Sequence, residues 1–196
     1  MSLRQQQKQQ TRSKIKAIAK QAFLSQGIAA TSTRYLSQQA GIAVGTLFVH
    51  FPDKLALVKD IFFDEMDAAL RAGAQAQSTC ISPIDYLTQM AQVLFSFYDE
   101  YAEFTREVLL DSVVTGGFHT KQISVITDGI VKRFLQVGVD DKTAHIFAQN
   151  MVANYWFVLL ESLPKGQLGQ AALDRITSLN LPFQVSYQNA ARKVAG

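Results

Sequence analysis

Between Thr31 and Lys54 the chain spells out two short helices joined by a sharp turn and closed by a proline. Thr31, Ser32 and Thr33 are cap formers that can accept the free amide hydrogens of a helix start. Leu36 and Ala40 lie four apart and share one face, with Tyr35 beside them. Gly41 supplies the backbone freedom of a tight turn, and Ile42 is an apolar plug between the helices. Leu47 and Phe51, again four apart, point back to a core. Pro52 stops the second helix, and Asp53 caps the next, which opens with Lys54. This spacing is that of a helix-turn-helix.

Helical spacing dominates the rest of the chain, and no strand pattern survives. The expected helices are 9–26, 33–39, 44–51, 53–77, one opening at Ser82-Pro83, then 101–114, 121–137, 141–163 and 171–179. A last short helix opens at Pro182. Gly116-Gly117, Gly138 and Pro164-Lys165-Gly166 mark breaks. The expected fold class is therefore all-α. A three-helix helix-turn-helix domain occupies 1–52 and a larger helical body 53–196, with helix 53–77 linking the two.

Charge divides along the same line. Residues 1–60 hold nine Lys and Arg against Asp53 and Asp60, a net of +7. The remaining ten basic and fourteen acidic residues give −4, which completes the overall +3. A basic front on a mildly acidic body points to nucleic acid at the front. The competing reading is a solvated charged helix, which does not explain why the excess coincides with the motif. The longest apolar run, Tyr155 to Leu160, is too short to span a bilayer, and the glutamine-rich N-terminus lacks a signal peptide's apolar core. A cytoplasmic protein without membrane partners is expected. Cys80 is the single cysteine, so no intrachain disulfide forms, and a small buried residue is a simpler reading of it than a redox thiol.

The pattern Ala40-Gly41-Ile42-Ala43, Gly45-Thr46-Leu47-Phe48, His50-Phe51 and Lys54 resembles the DNA-binding signature of the TetR family of bacterial transcriptional regulators. The upstream run Ile15, Ile18, Ala19, Ala22, Phe23, Gly27 and Thr31 fits that family's first helix. The resemblance covers roughly residues 10–60. It implies a homodimer whose two heads read half-sites in successive major grooves of a roughly palindromic operator. Its interface would use helices 141–163 and 171–179, with Ala148, Met151, Val152, Tyr155 and Leu159 as the seam.

The DNA contacts expected are Thr33, Arg34, Val44, Gly45, Thr46, Phe48, His50 and Lys54. Gly45 lets the backbone approach a strand. Thr46 and His50 share a face and carry groups suited to phosphates or base edges; the competing reading of His50 is a buried structural imidazole. Lys54 is expected to meet phosphate at a helix mouth. Three positions depart from the family pattern. Phe48 replaces a tyrosine, Ala43 replaces a capping serine, and Val44 stands where a polar residue is common, although it could touch a thymine methyl group.

In the body, Phe62, Phe63, Met66, Met90, Phe97, Phe104, Phe147, Tyr155 and Trp156 are the candidate lining of an apolar cavity, with ordinary core as the alternative. Asn150 and Asn154 lie four apart in an apolar helix, flanked by His145 and Gln149, and buried amides need partners. A ligand or a second subunit would supply them. His119 and His145 have no Cys, Asp or Glu at metal spacing, and no nucleophile elbow or phosphate loop appears, so neither metal, cofactor nor catalysis is expected. Glu103, Glu107 and Asp111 read as a solvated helix face. The leading expectation is a DNA-binding regulator, a repressor released by an apolar or amphipathic small molecule. The alternatives are a helical small-molecule binder or enzyme with a structural front, and a constitutive DNA binder without ligand.

Overall fold

The computed structural model describes residues 2–75, 82–115 and 120–195. Among them the helices are α1 (Leu3–Gln26), α2 (Thr33–Ala40), α3 (Val44–His50), α4 (Lys54–Gln75), α5 (Pro83–Glu100), α6 (Ala102–Thr115), α7 (Thr120–Gln136), α8 (Asp141–Ser162), α9 (Gln170–Leu179) and α10 (Leu181–Ala195). A 3-10 turn, Leu163–Lys165, follows α8. The chain is all-helical among the described residues, as the periodicity indicates. Cys80, Gly116, Gly117 and His119 lie outside the described residues. Two ends differ from the expected ones. The first helix starts at Leu3 because Ser2 and Gln5 form a reciprocal capping box, and α10 runs for 15 residues.

The contacts divide the chain into two compact units. The first comprises Met1–Met66 and Tyr101–Val114, so it takes in α6 and the first half of α4. Its core is Ile15, Ala19 and Phe23 of α1 with Leu36, Leu47, Phe51, Leu57, Val58 and Phe62. Phe104 of α6 meets the Phe23 ring edge-on at 5.8 Å. Cations of α1 grip acids of α4: Arg12 and Lys16 reach Asp60 at 3.0 and 2.9 Å, Lys16 also pairs with Asp64, and Lys20 reaches Glu65 at 2.7 Å. Burial by itself would raise the Asp60 carboxyl, but hydrogen bonds and charge from Lys16 and Arg12 outweigh it and hold the group below its ordinary range.

The second unit comprises Asp67–Glu100 and Thr115–Gly196. Its central helix is α5, buried at Ile84, Leu87, Met90, Ala91, Leu94, Phe95 and Tyr98. The Tyr98 and Tyr155 hydroxyls bond to each other at 3.3 Å between α5 and α8. Burial pushes the Tyr98 phenol up to about 12 and Tyr155 well above its usual value, so both stay neutral. Arg133 of α7 stacks on the Tyr86 ring, 3.9 Å from its centroid, and bonds the Gly129 carbonyl at 2.8 Å. Gly129 has no side chain because one would sit 2.3 Å from the Tyr86 hydroxyl.

Candidate nucleic-acid interface

Each turn of the front motif is fixed by an identifiable bond. The Ser32 hydroxyl accepts the Tyr35 amide at 3.1 Å and starts α2. Gly41 ends α2 in the left-handed region (φ 65°, ψ 36°), its amide donating to the Ser37 and Gln38 carbonyls. Ala43 precedes α3 and offers no side-chain cap. The Asp53 carboxylate accepts the Ala56 amide at 2.7 Å and starts α4.

This frame turns Leu47 and Phe51 into the core and leaves Val44, Gly45, Phe48 and Val49 of α3 on the surface. Phe48 is 44% exposed and Val49 72%. A methyl group on Gly45 would meet open space, so nothing within the fold requires glycine there. Arg34 is exposed at the start of α2, whereas Thr33, Thr46 and His50 are half-buried. Tyr35, placed beside the core by its spacing, is 40% exposed.

Lys54 does not stand free at the mouth of α4. Its ammonium donates to the Ile28, Ala29 and Thr31 carbonyls at 2.7, 3.5 and 3.3 Å. Those bonds tie the start of α4 to the α1–α2 loop, which gives Lys54 a structural place in the fold. Glu103 completes the clamp by accepting the Ile28 amide at 2.7 Å.

His50 has a mixed environment. Its carbonyl accepts Arg12 Nη1 at 2.6 Å, while its Nδ1 is buried without a hydrogen-bond partner. Burial first, then the charges of Lys8 and Arg12, lowers its pKa below the ordinary histidine value. Arg12 also lies 4.1 Å over the Phe51 ring. One arginine therefore ties α1 to the end of α3.

Residues 15–61 match the family model of bacterial regulatory proteins, tetR family. Over this segment the chain is similar to the DNA-binding part of the TetR family. It is similar to the HTH-type transcriptional repressor KstR2 of Mycolicibacterium smegmatis, 30% identical over 84 residues, which are 43% of this chain and 41% of that relative. The chain thus spans less than half the length of the curated relative it matches. Among solved structures it resembles a TetR variant from Acinetobacter baumannii AYE in complex with minocycline (TM-score 0.57, 17% identity, 88% of this chain and 96% of that one). It also resembles BioQ with its natural double-stranded DNA operator (TM-score 0.53, 16% identity, 92% and 97%). At such identities the likeness establishes the all-helical fold alone.

The residues expected to line a body cavity are distributed between the units. Phe62, Met66 and Phe104 are buried in the first. Met90 and Phe97 are buried in the second, where Phe147 and Trp156 are half-buried. Phe147 packs between Phe134 and Phe183, both at 5.3 Å, and Trp156 meets the Tyr155 ring edge-on. Asn150 is exposed and donates to the Ile146 carbonyl of its own helix, so it lines no interior cavity. Asn154 donates to Asn180 Oδ1 at 3.1 Å and to the Leu179 carbonyl at 3.3 Å, so the chain itself supplies its partners.

The residues of the expected α8 seam face the core of their own unit. Ala148, Met151, Val152, Tyr155 and Leu159 are buried within their own unit. The face of α8 left exposed carries Ile146, Phe157 and Leu160, and α10 exposes Leu181 and Val185. Periodicity alone identifies apolar stripes but not which stripe the chain's own core consumes.

Proposed function

We propose that this chain is a regulator of the TetR family, a cytoplasmic, ligand-responsive transcriptional repressor that binds a palindromic operator as a homodimer. The observation that carries the reading is the solvent-facing side of α3, where Val44, Gly45, Phe48 and Val49 stand clear of the core on a helix-turn-helix. A helix so presented enters a major groove, with Gly45 permitting close approach and Val44 and Phe48 offering apolar contact to thymine methyl groups. Arg34, Thr33 and Thr46 add polar contacts to the backbone.

Two heads require two copies. Ile146, Phe157 and Leu160 of α8 with Leu181 and Val185 of α10 form the apolar surface that a second copy would cover. This replaces the seam inferred from spacing and substitutes α10 for α9. KstR2 is a transcriptional repressor, BioQ was solved on its operator and the TetR variant with minocycline, and these parallels support operator binding and small-molecule release here. Release requires only that the effector prefer one state of the body, a coupling of about 1–3 kcal/mol.

A mobility-shift assay with duplex fragments flanking the protein's own gene tests the DNA reading. A specific, salt-sensitive complex supports it. Binding indistinguishable from that to unrelated DNA removes it. The constitutive alternative draws support from Asn154, whose partners are internal. Native mass spectrometry of the purified protein separates the two, since a retained small molecule whose removal tightens DNA binding is expected only of the responsive regulator.

A further inference from the structure

The basic residues of α1 fall into two sets with different fates. Arg4, Lys8, Arg12, Lys16 and Lys20 are spaced four apart and form one stripe along the helix. The lower three are held by Asp60, Asp64 and Glu65 of α4. The upper two, Arg4 and Lys8, are exposed and pair with no carboxylate among the described residues. No acidic residue precedes Asp53 in the chain, so this end of α1 has no local counter-charge.

The unpaired end of the stripe lies beside the end of α3. A groove of about 530 Å³ runs between them, walled by Arg4, Gln5, Lys8 and Thr11 of α1 and by Val49 and His50 of α3. No carboxylate lines it. Its polar groups are an arginine, a lysine, the amides of Gln5 and Gln7 and the hydroxyls of Ser2 and Thr11, together with an imidazole whose buried Nδ1 lacks a partner. Val49, at 72% exposure, joins this groove to the surface face of α3. All of the α1 wall lies before residue 15, outside the segment that the family model matches.

We infer that the first three turns of α1 and the end of α3 form a phosphate-binding groove that clamps the DNA backbone alongside the helix-turn-helix. The inference rests on the DNA-binding reading and deepens it. Arg4 and Lys8 make the charged contacts, and the side-chain amides of Gln5 and Gln7 supply neutral donors. A duplex backbone fits better than an acidic protein, because the groove shares its wall with the helix already facing DNA. These contacts carry no sequence information, so they add affinity equally to operator and to unrelated duplex.

The test uses the full chain and fluorescence anisotropy on the shifted fragment and on an unrelated duplex of equal length. Each phosphate contact contributes about 0.9 to the slope of log affinity against log salt. Arg4→Gln with Lys8→Gln should therefore flatten the slope by about 2 per protomer, which between about 50 and 200 mM salt is a difference of roughly tenfold. The loss should be equal on both duplexes, leaving the specificity ratio unchanged. Lys14→Gln, an exposed cation of α1 that does not line the groove, should leave the slope nearly unaltered.

An unchanged slope in the double variant overturns the inference while leaving the DNA-binding reading intact. So does a Lys14 variant that loses as much as Arg4→Gln alone, since general charge would then explain the effect. If the unaltered chain binds neither duplex, it is the DNA-binding reading itself that fails. Arg4 and Lys8 are exposed, so circular dichroism should show the same helical content in every variant.

Discussion

Gly45 separates fold from function most cleanly, because a side chain there would touch nothing in the protein. Gly45→Ala should keep or slightly raise stability, by up to about 1 kcal/mol from helix propensity. The same change should weaken operator binding, since the methyl group stands where a strand must approach. Thermal melting and anisotropy on one sample check both halves, and equal weakening of both would show that glycine serves the fold. His50 offers a pH test. Its folded pKa lies below the ordinary value of 6.5, chiefly through burial and then through Lys8 and Arg12. The unfolded chain therefore takes up the proton first, so stability falls as pH drops below about 6.5 and levels off once the folded pKa is passed. His50→Gln should flatten melting temperature against pH in that window. Lys54 shows what spacing could not reveal. Its three carbonyl partners lie 23 to 26 residues earlier, in a loop whose path exists only after folding.

The elements were legible where their signals are local. The turn between α2 and α3 follows from Gly41, and the start of α4 from Asp53. The Ser2–Gln5 capping box was equally readable and extends α1 to Leu3. The pairing of α1 with α4 was not, because it joins residues more than forty apart. Asp60 is its centre, with Arg12 and Lys16 on one carboxylate. Asp60→Asn should cost about 1–3 kcal/mol at neutral pH, because it leaves two part-buried cations short of an acceptor. The Asp60 pKa is lowered in the fold, so this stability is present above about 4 and lost as pH falls through the folded value. Urea titrations of wild type and variant should differ at pH 7 and converge in acid. A gap that persists in acid would assign the effect to packing. In the second unit, Gly129→Ala drives a methyl group into the Tyr86 ring, on which Arg133 stacks. The overpacking cost of about 1–3 kcal/mol should exceed the helix-propensity gain of about 1, lowering the melting temperature.

At the scale of the whole molecule, α8 explains what the sequence could not settle. It is buried at Ala144, Ala148, Met151, Tyr155 and Leu159, yet it exposes Ile146, Phe157 and Leu160. A helix apolar on both sides yields two stripes, and only the packed core shows which remains for a partner. Phe157→Glu with Val185→Glu places charge on that remaining surface without touching the core. Sedimentation velocity should show a monomer, and operator affinity should fall because one head alone meets one half-site. A dimer that survives both changes would move the interface elsewhere. The central claim is that the exposed side of α3 reads DNA. Its most direct test is anisotropy on duplex fragments flanking the protein's own gene, comparing the chain with its Thr46→Ala, Phe48→Ala variant. The account predicts a specific complex for the unaltered chain and at least a roughly tenfold weaker one for the variant, about 1.4 kcal/mol or more, with helical content unchanged. Equal affinity of the two proteins for the operator would contradict it.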